Sequence, residues 1–281
     1  MSVQPRLSPS QLALLKAWFP QMAVIADLSW GLVDTVVLHV RDRDRDVIVK
    51  AGGPANHHIG REIAAHRTWV GGLAEIGRAP QLLRADETAN VLVTTYVEGR
   101  LVLGADAEWQ ADTYAQAGEL LGRFHSQAAR VEKDYEHGAN AAALRWLDGA
   151  HGIAPTIEAR LRAEIGAFDS PTVTLVPTHG DWQPRNWLHH LGTVKVIDFG
   201  RADWRPADSD FARLANQQFL GRPDLERAFI DGYGSDPREA SAWRRTQLRE
   251  AVGTACWAYQ VGEFRFEEQG HRMIADVLQT I

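Results

Sequence analysis

Residues 178–211 read THGDWQPRNWLHHLGTVKVIDFGRADWRPADSDF. Asp181 follows His179 and Gly180, Asn186 comes five residues later, and Asp198 twelve beyond that, within Ile197-Asp198-Phe199-Gly200. A carboxylate to orient a hydroxyl and accept its proton, then an amide and a carboxylate to hold metal, is what phosphoryl transfer from a Mg²⁺-bound nucleotide needs. Mg²⁺ takes only one or two protein carboxylates and fills its shell with phosphate and water oxygens. Asp181 is therefore expected as the base, with Asn186 and Asp198 as metal ligands. Between them, Trp187–His190 and residues 193–197 flank Leu191-Gly192, which predicts a hairpin that brings Asn186 beside Asp198. Taken singly these residues are ordinary cap and turn formers; only the joint pattern selects the chemistry.

The stretch resembles the aminoglycoside phosphotransferase and choline kinase family of the protein-kinase-like superfamily, in its antibiotic phosphotransferase type. Asp181 and Asn186 match the catalytic aspartate and metal asparagine of the family's HGDxxxxN motif, and Asp198 the metal aspartate of its second motif. Asp210 looks like the family's structural aspartate, which supports the catalytic loop; Asp208 is close enough to compete for that role. The resemblance implies an α+β, bilobal, kinase-like fold. A small β-rich nucleotide-binding lobe would span residues 1–98, with the hinge at its end, and a larger, mainly helical catalytic and substrate-binding lobe residues 99–281.

The upstream half of such a cleft is present. Residues 46–50 read as a strand ending in Lys50, and a helical pattern from 59 to 70 contains Glu62. A strand lysine paired to a helix glutamate grips the α- and β-phosphates in kinases, and the resemblance gives that part to Lys50 and Glu62. Residues 29–35 sit where a phosphate-covering loop would lie, with a single glycine. No GxxxxGK[ST] occurs, so a P-loop kinase is not supported. Residues 91–99 form a strand running into a turn. The resemblance makes this the hinge, with Tyr96 and Val97 presenting backbone groups to adenine and Thr94 walling the pocket. ATP is the expected co-substrate; GTP stays open, because both bind through the same groups.

The 281 residues are 45% apolar and 23% charged, ordinary for a globular chain with a substantial core. No apolar run approaches the ~18 residues of a membrane span. The N-terminus predicts an amphipathic helix after Ser8-Pro9-Ser10, not a signal peptide. The single Cys256 leaves no internal disulfide framework. These features predict a cytoplasmic protein, monomer or homodimer. A net charge of −6 without a basic run argues against nucleic acid as partner. Further helices are expected at residues 106–129, 155–168, 208–220, 223–233 and 237–263, with His125 as a packing or hydrogen-bonding residue.

A small acceptor is expected. Asp210 lies twelve residues past Asp198, with no Ala-Pro-Glu signature, and Gln183 stands where protein kinases have lysine. That leaves little room to dock a polypeptide. The acceptor should enter between the catalytic loop and the C-terminal helices, where Asp203, Asp208, Glu263, Glu267 and Glu268 lie in sequence. Carboxylates there would hold a cationic molecule. Ten tryptophans is a high number. Trp182, Trp187 and Trp204 flank the catalytic groups and Trp257 falls in an expected C-terminal helix; some of them, with Trp204 the chosen candidate, would line an aromatic pocket for an ammonium or guanidinium group, although core filling is the more ordinary use of such residues. This lining would suit an aminoglycoside, a capreomycin- or viomycin-type peptide, or a choline-like amine. The leading expectation is an ATP-dependent antibiotic O-phosphotransferase that confers resistance. The alternatives are a metabolic kinase for choline, ethanolamine, a sugar or an amino-acid hydroxyl, and a non-catalytic pseudokinase.

Overall fold

A computed structural model describes residues 7–31 and 34–279. Leu32 and Val33, in the expected phosphate-covering loop, lie outside the described residues. The chain has a mixed α+β fold, with a β-sheet N-terminal region and a helical C-terminal part. In chain order the elements are α1 (Pro9–Trp18), β1 (Met22–Asp27), β2 (Thr35–Asp42), β3 (Arg45–Gly52), α2 (His57–Thr68), α3 (Gly71–Glu75), β4 (Leu82–Asp86), β5 (Val91–Thr95), β6 (Arg100–Leu101) and α4 (Ala111–His125). There follow β7 (Arg130–Glu132), α5 (Tyr135–Asp148), α6 (Pro155–Ala167), β8 (Val173–Thr178), β9 (Trp187–His190), β10 (Thr193–Val196), β11 (Asp203–Arg205), α7 (Ala212–Ala215), α8 (Pro223–Tyr233), α9 (Ala240–Val261) and α10 (Phe264–Gln279). Among the described residues no helix is long and apolar enough to cross a membrane.

Packing divides the chain into two compact units. The first holds residues up to Gln127 together with Pro177–Asp203 and Pro223–Gly234. Its main sheet is antiparallel, in the order β1-β2-β3-β5-β4. Strand alternation decides what each face carries. Val47, Val49 and Ala51 of β3 turn to a core shared with Leu38 and Val40 of β2, Val91 and Val93 of β5, and Leu15 and Phe19. Lys50, between Val49 and Ala51, belongs to the opposite face, opposite Leu92 in the ladder. Ile59 and Ile63 of α2 pack on Leu92, and Glu62 shares their buried stripe. The alternating charges of residues 41–46 close the β2–β3 hairpin, with Arg41 holding Asp46 through two 2.8 Å hydrogen bonds.

Two further features of this unit position the site. Strands β9 and β10 form the expected hairpin, closed by Leu191 and Gly192, both at positive φ (48° and 77°); this is the turn geometry that the twist of a two-residue hairpin favours. Helices α4 and α8 meet backbone to backbone. A Cβ on Gly118 would lie 2.1 Å from the Phe229 carbonyl oxygen, and one on Gly232 2.0 Å from that of Ala115. His125 is buried at the end of α4, with Nδ1 2.9 Å from the Tyr233 hydroxyl; it packs and hydrogen-bonds, as expected.

The second unit holds Ala128–Val176, Trp204–Arg222 and residues from Ser235 onward. Its core gathers Leu147, Leu161 and Ile165 with Leu248, Val252, Cys256, Met273, Ile274 and Leu278. Burial pushes the Cys256 thiol up to about 11, so this cysteine is a small apolar filler. Glu136 is also buried here, holding Arg245 at 2.7 Å and Arg249 beside it.

Several expected helices differ. Residues 106–129 do not form one helix: a 3₁₀ turn spans Asp106–Trp109, Gln110 is extended (φ −101°, ψ 126°), and α4 starts at Ala111. Residues 208–220 give only a 3₁₀ turn, Ala207–Phe211, and the single turn of α7. Helices α5 and α10 are additional. The expected 237–263 helix is α9, which starts later because Glu239 caps the amides of Ser241 and Ala242 and ends at Gly262 (φ 75°). Its neighbours 155–168 and 223–233 appear as α6 and α8.

Candidate active site

The chemistry-bearing residues of the first unit come together in one site. Lys50 Nζ lies 2.8 and 2.9 Å from the two carboxylate oxygens of Glu62 and 2.8 Å from Asp198 Oδ1. Residues 148 apart in sequence are therefore joined by one ammonium group. Burial disfavours the Lys50 charge, but Asp198 and Glu62 overcome that and raise its pKa. Burial likewise opposes the Asp198 charge, and Lys50 outweighs it, so its carboxyl titrates below the usual range. Burial pushes Glu62 upward, helped by Asp198 and opposed by Lys50. One cation between two carboxylates explains this split. The Asp198 side chain stays half exposed, whereas Glu62 is buried.

The β9–β10 hairpin places Asp198. The Ile197 amide donates to the Asn186 carbonyl at 3.0 Å, one step beyond the Trp187–Val196 pair, so Asn186 stands beside Asp198. Asp198 itself is left-handed, with φ 67°, an uncommon conformation for a non-glycine residue and one often found at functional sites. Its neighbour Phe199 anchors it. That ring is fully buried against His66, Phe124 and His179. His58 Nδ1 lies 3.0 Å from the Gly200 carbonyl, which ties α2 to the same turn.

Asp181 is nearly buried. Its Oδ2 accepts from Arg185 Nη2 at 2.7 Å and from Asn186 Nδ2 at 2.9 Å, and its Oδ1 accepts from Gln183 Nε2. His179 Nε2 donates to the Ile197 carbonyl at 3.1 Å, fixing the Asp181 loop to the strand that leads into Asp198. The Asn186 amide nitrogen also donates to the Asp181 carbonyl at 2.8 Å, which commits that nitrogen and leaves the amide oxygen as the group suited to a metal. Arg185 was not singled out from sequence, because an arginine between Pro184 and Asn186 looks like turn filler.

The charges in this site suit a dication. Glu62, Asp181 and Asp198 stand against Lys50 and Arg185, an excess of one negative charge. Among the described residues no three His, Cys, Asp or Glu side chains form a ready-made metal cluster. An amide oxygen and one half-exposed carboxylate match a metal that completes its shell with phosphate and water.

At the expected hinge, β5 ends at Thr95, and the Tyr96 amide donates to the Asp46 carbonyl at 3.2 Å. Thr94 is buried opposite Ile48. The Tyr96 ring stacks on His39, with centroids 4.3 Å apart, and Val97 follows in the chain outside the ladder.

The expected acceptor residues fare unequally. Asp203 is exposed at the start of β11, its carbonyl accepting from Thr178 Oγ1 at 2.7 Å. In the second unit, Trp204 is half-buried with the Arg130 guanidinium 4.8 Å over its ring. Glu263 and Glu267 are half-buried, the latter 3.6 Å from His271. Glu268 is exposed. Asp208 is a correction: it is buried and accepts from Thr246 Oγ1 at 2.9 Å, and burial raises its pKa, so it works inside the unit and not as a surface acid. Asp210 is buried as well. Trp182 and Trp187 are core residues, 1% and 0% exposed, packed edge to face on one another.

Comparison with known structures places this geometry. Choline kinase LicA from Streptococcus pneumoniae is similar at a TM-score of 0.68 and 14% identity, over 96% of this chain and 100% of that one. A thermostable mutant of aminoglycoside phosphotransferase APH(4)-Ia, in ternary complex with ADP and hygromycin B, is similar at 0.71 and 14%, over 95% and 97%. Macrolide 2'-phosphotransferase MphH from Brachybacterium faecium is similar at 0.58 and 15%, over 94% and 97%. These likenesses establish the kinase-like fold. A search of curated protein sequences finds no match. The model of the phosphotransferase enzyme family matches residues 25–247. The chain belongs to that family, and it is an enzyme that transfers phosphoryl groups to hydroxyl groups of small molecules.

Proposed function

We propose that the protein transfers the γ-phosphate of ATP to a hydroxyl of a small cationic molecule, most simply an aminoglycoside or a capreomycin- or viomycin-type peptide, and so confers resistance. The observation that carries this reading is the convergence of Lys50, Glu62 and Asp198 with Asp181 and Asn186 in one site. In it, Lys50, steadied by Glu62, holds the α- and β-phosphates, and the hinge at Thr94, Tyr96 and Val97 takes the adenine. Asn186 and Asp198 hold Mg²⁺, which when bound neutralises charge on the phosphate oxygens. Asp181 orients the acceptor hydroxyl and accepts its proton as the phosphoryl group moves. A loose transition state asks little strength of this base, so its fixed position matters more. Residues 1–98 serve as the nucleotide-binding lobe and 99–281 as the catalytic and acceptor lobe, with Asp210 supporting the catalytic loop.

The cationic preference rests on Asp203, Glu263 and Glu267, and on Trp204, whose face already accommodates the Arg130 guanidinium. The ADP complex of an aminoglycoside phosphotransferase neighbour supports ATP. The choline kinase neighbour keeps an amino alcohol as the second reading.

The test is ADP release from Mg-ATP over a panel of aminoglycosides, capreomycin, choline, ethanolamine and sugars, repeated with GTP. The expected result is acceptor-dependent release with a polycationic antibiotic, and resistance in a sensitive bacterium that Asp181→Ala abolishes. Tight Mg-ATP binding with no acceptor-dependent release from any compound would replace this reading with that of a non-catalytic binding protein.

A further inference from the structure

Asp181 is surrounded by more donors than a waiting base needs. A carboxylate offers about four acceptor positions, and Gln183, Asn186 and Arg185 take three of those on Asp181. Gln183 and Asn186 are nearly buried, at 4% and 5% exposure, and fixed by the loop; Arg185 is the partly exposed partner, with a side chain 26% exposed. It is also the one with a second seat. Its guanidinium lies 5.4 Å over the ring of Trp30. Trp30 follows Ser29, whose amide is capped by Asp27 and whose hydroxyl accepts from the Val37 amide at 2.9 Å, so this part of the loop is pinned to β2. Arg185 thus reaches from the expected base to Trp30, in the expected phosphate-covering loop.

We propose that Arg185 is a second catalytic residue, which contacts the phosphoryl group during transfer. This rests on the reading of Asp181 as the base. Before the acceptor binds, Arg185 neutralises Asp181. When the acceptor hydroxyl takes its place on the carboxylate, Arg185 moves to the phosphoryl oxygens and is held there by Trp30. The acceptor oxygen bonds to the γ-phosphorus as the bond from that phosphorus to the β,γ-bridging oxygen breaks. The hydroxyl proton passes to Asp181, the electron pair leaves with ADP, and Arg185 keeps its proton throughout. A planar guanidinium suits a planar phosphoryl group better than an ammonium does.

The test compares binding of Mg-ADP with and without aluminium fluoride, a planar mimic of the phosphoryl group in flight, by calorimetry in the wild type, Arg185→Ala, Arg185→Gln and Arg185→Lys. The wild type should gain about tenfold or more in affinity from aluminium fluoride. Arg185→Ala, or Arg185→Gln if the alanine variant fails to fold, should lose that gain yet bind Mg-ADP within about threefold of the wild type, and Arg185→Lys should recover only part. ATP hydrolysis should fall about 100-fold in Arg185→Ala, and added guanidinium ion should restore part of it. An aluminium fluoride gain retained in both Arg185→Ala and Arg185→Gln overturns the proposal. Unimpaired turnover in Asp181→Asn would instead sink the base assignment and leave the aluminium fluoride comparison standing as the measure of Arg185.

Discussion

Two carboxylates share Lys50, and one of them, Glu62, is almost wholly buried. Lys50→Met should therefore harm more than catalysis. An unpaired buried carboxylate costs about 3 kcal/mol or protonates instead. Without Lys50 the folded-state pKa of Glu62 rises further above its unfolded value, so the folded chain holds a proton that the unfolded chain releases. Stability should then fall as pH rises, and urea unfolding should show Lys50→Met closer to wild type at pH 5 than at pH 8. Adding Glu62→Gln should recover stability without recovering ATP turnover. Equal losses at both pH values would mean that the pair is not electrostatically coupled. Lys50, Glu62 and Asp198 could be picked out from the sequence because a strand ending in lysine, a helical stretch with a glutamate and a hairpin leading into Asp-Phe-Gly match the family resemblance; the helix register that sets Glu62 against Lys50 is seen only in the structure. Arg185 could not be picked out, because its significance lies in contacts to Asp181 and Trp30 that no local pattern encodes.

Helices and turns set the tolerances around these residues. The α4–α8 contact depends on the absence of a side chain at Gly118 and Gly232. Either residue changed to alanine would press a methyl group against backbone, so thermal unfolding should report a loss of about 1–3 kcal/mol. A wild-type melting temperature for both variants would contradict the packing described. On α2, one turn after Glu62, His66 is buried against Phe199, and its Nε2 has no hydrogen-bond partner among the described residues. Burial, with Lys50 nearby, lowers its pKa to about 4 from 6.5. Between those values the unfolded chain binds a proton that the folded chain refuses, so stability is lost as pH falls from 6.5 towards 4. His66→Leu should remove about 2–3 kcal/mol of the stability difference between pH 7 and pH 4.5; an unchanged pH dependence would contradict this. The β9–β10 hairpin could be read in advance from its alternating residues and Leu191-Gly192. The breaks at Gln110 and within residues 208–220 could not, because apolar spacing there continues through turns whose backbone is set by tertiary packing.

At the scale of the molecule, the order of a β-sheet N-terminal region and a mainly helical C-terminal part was readable from period-two and helical patterns. Helices α5 and α10 were missed; α5 in particular carries the buried Glu136, a charge that makes sense only once Arg245 and Arg249 surround it. Which of the candidate acids are exposed was equally illegible: Asp203 is exposed and Asp208 is buried. Ligand binding offers a whole-molecule check. Mg-ATP at about 100 times its Kd adds roughly 2.7 kcal/mol, which should raise the Tm by several degrees in a chain of this length. Asp198→Ala should keep the response to ATP alone and lose the part that depends on Mg²⁺. An undiminished magnesium-dependent shift would remove Asp198 from the metal site.

The central claim is that Asp181 is the group on which phosphoryl transfer turns. The direct measurement is acceptor-dependent ADP release by wild type and Asp181→Asn, with the Kd for Mg-ATP determined on the same samples. Release should fall about 1,000-fold or more while the Kd stays within about threefold, because the amide keeps the shape of the loop but cannot take the proton. Turnover at the wild-type rate by Asp181→Asn would contradict the account.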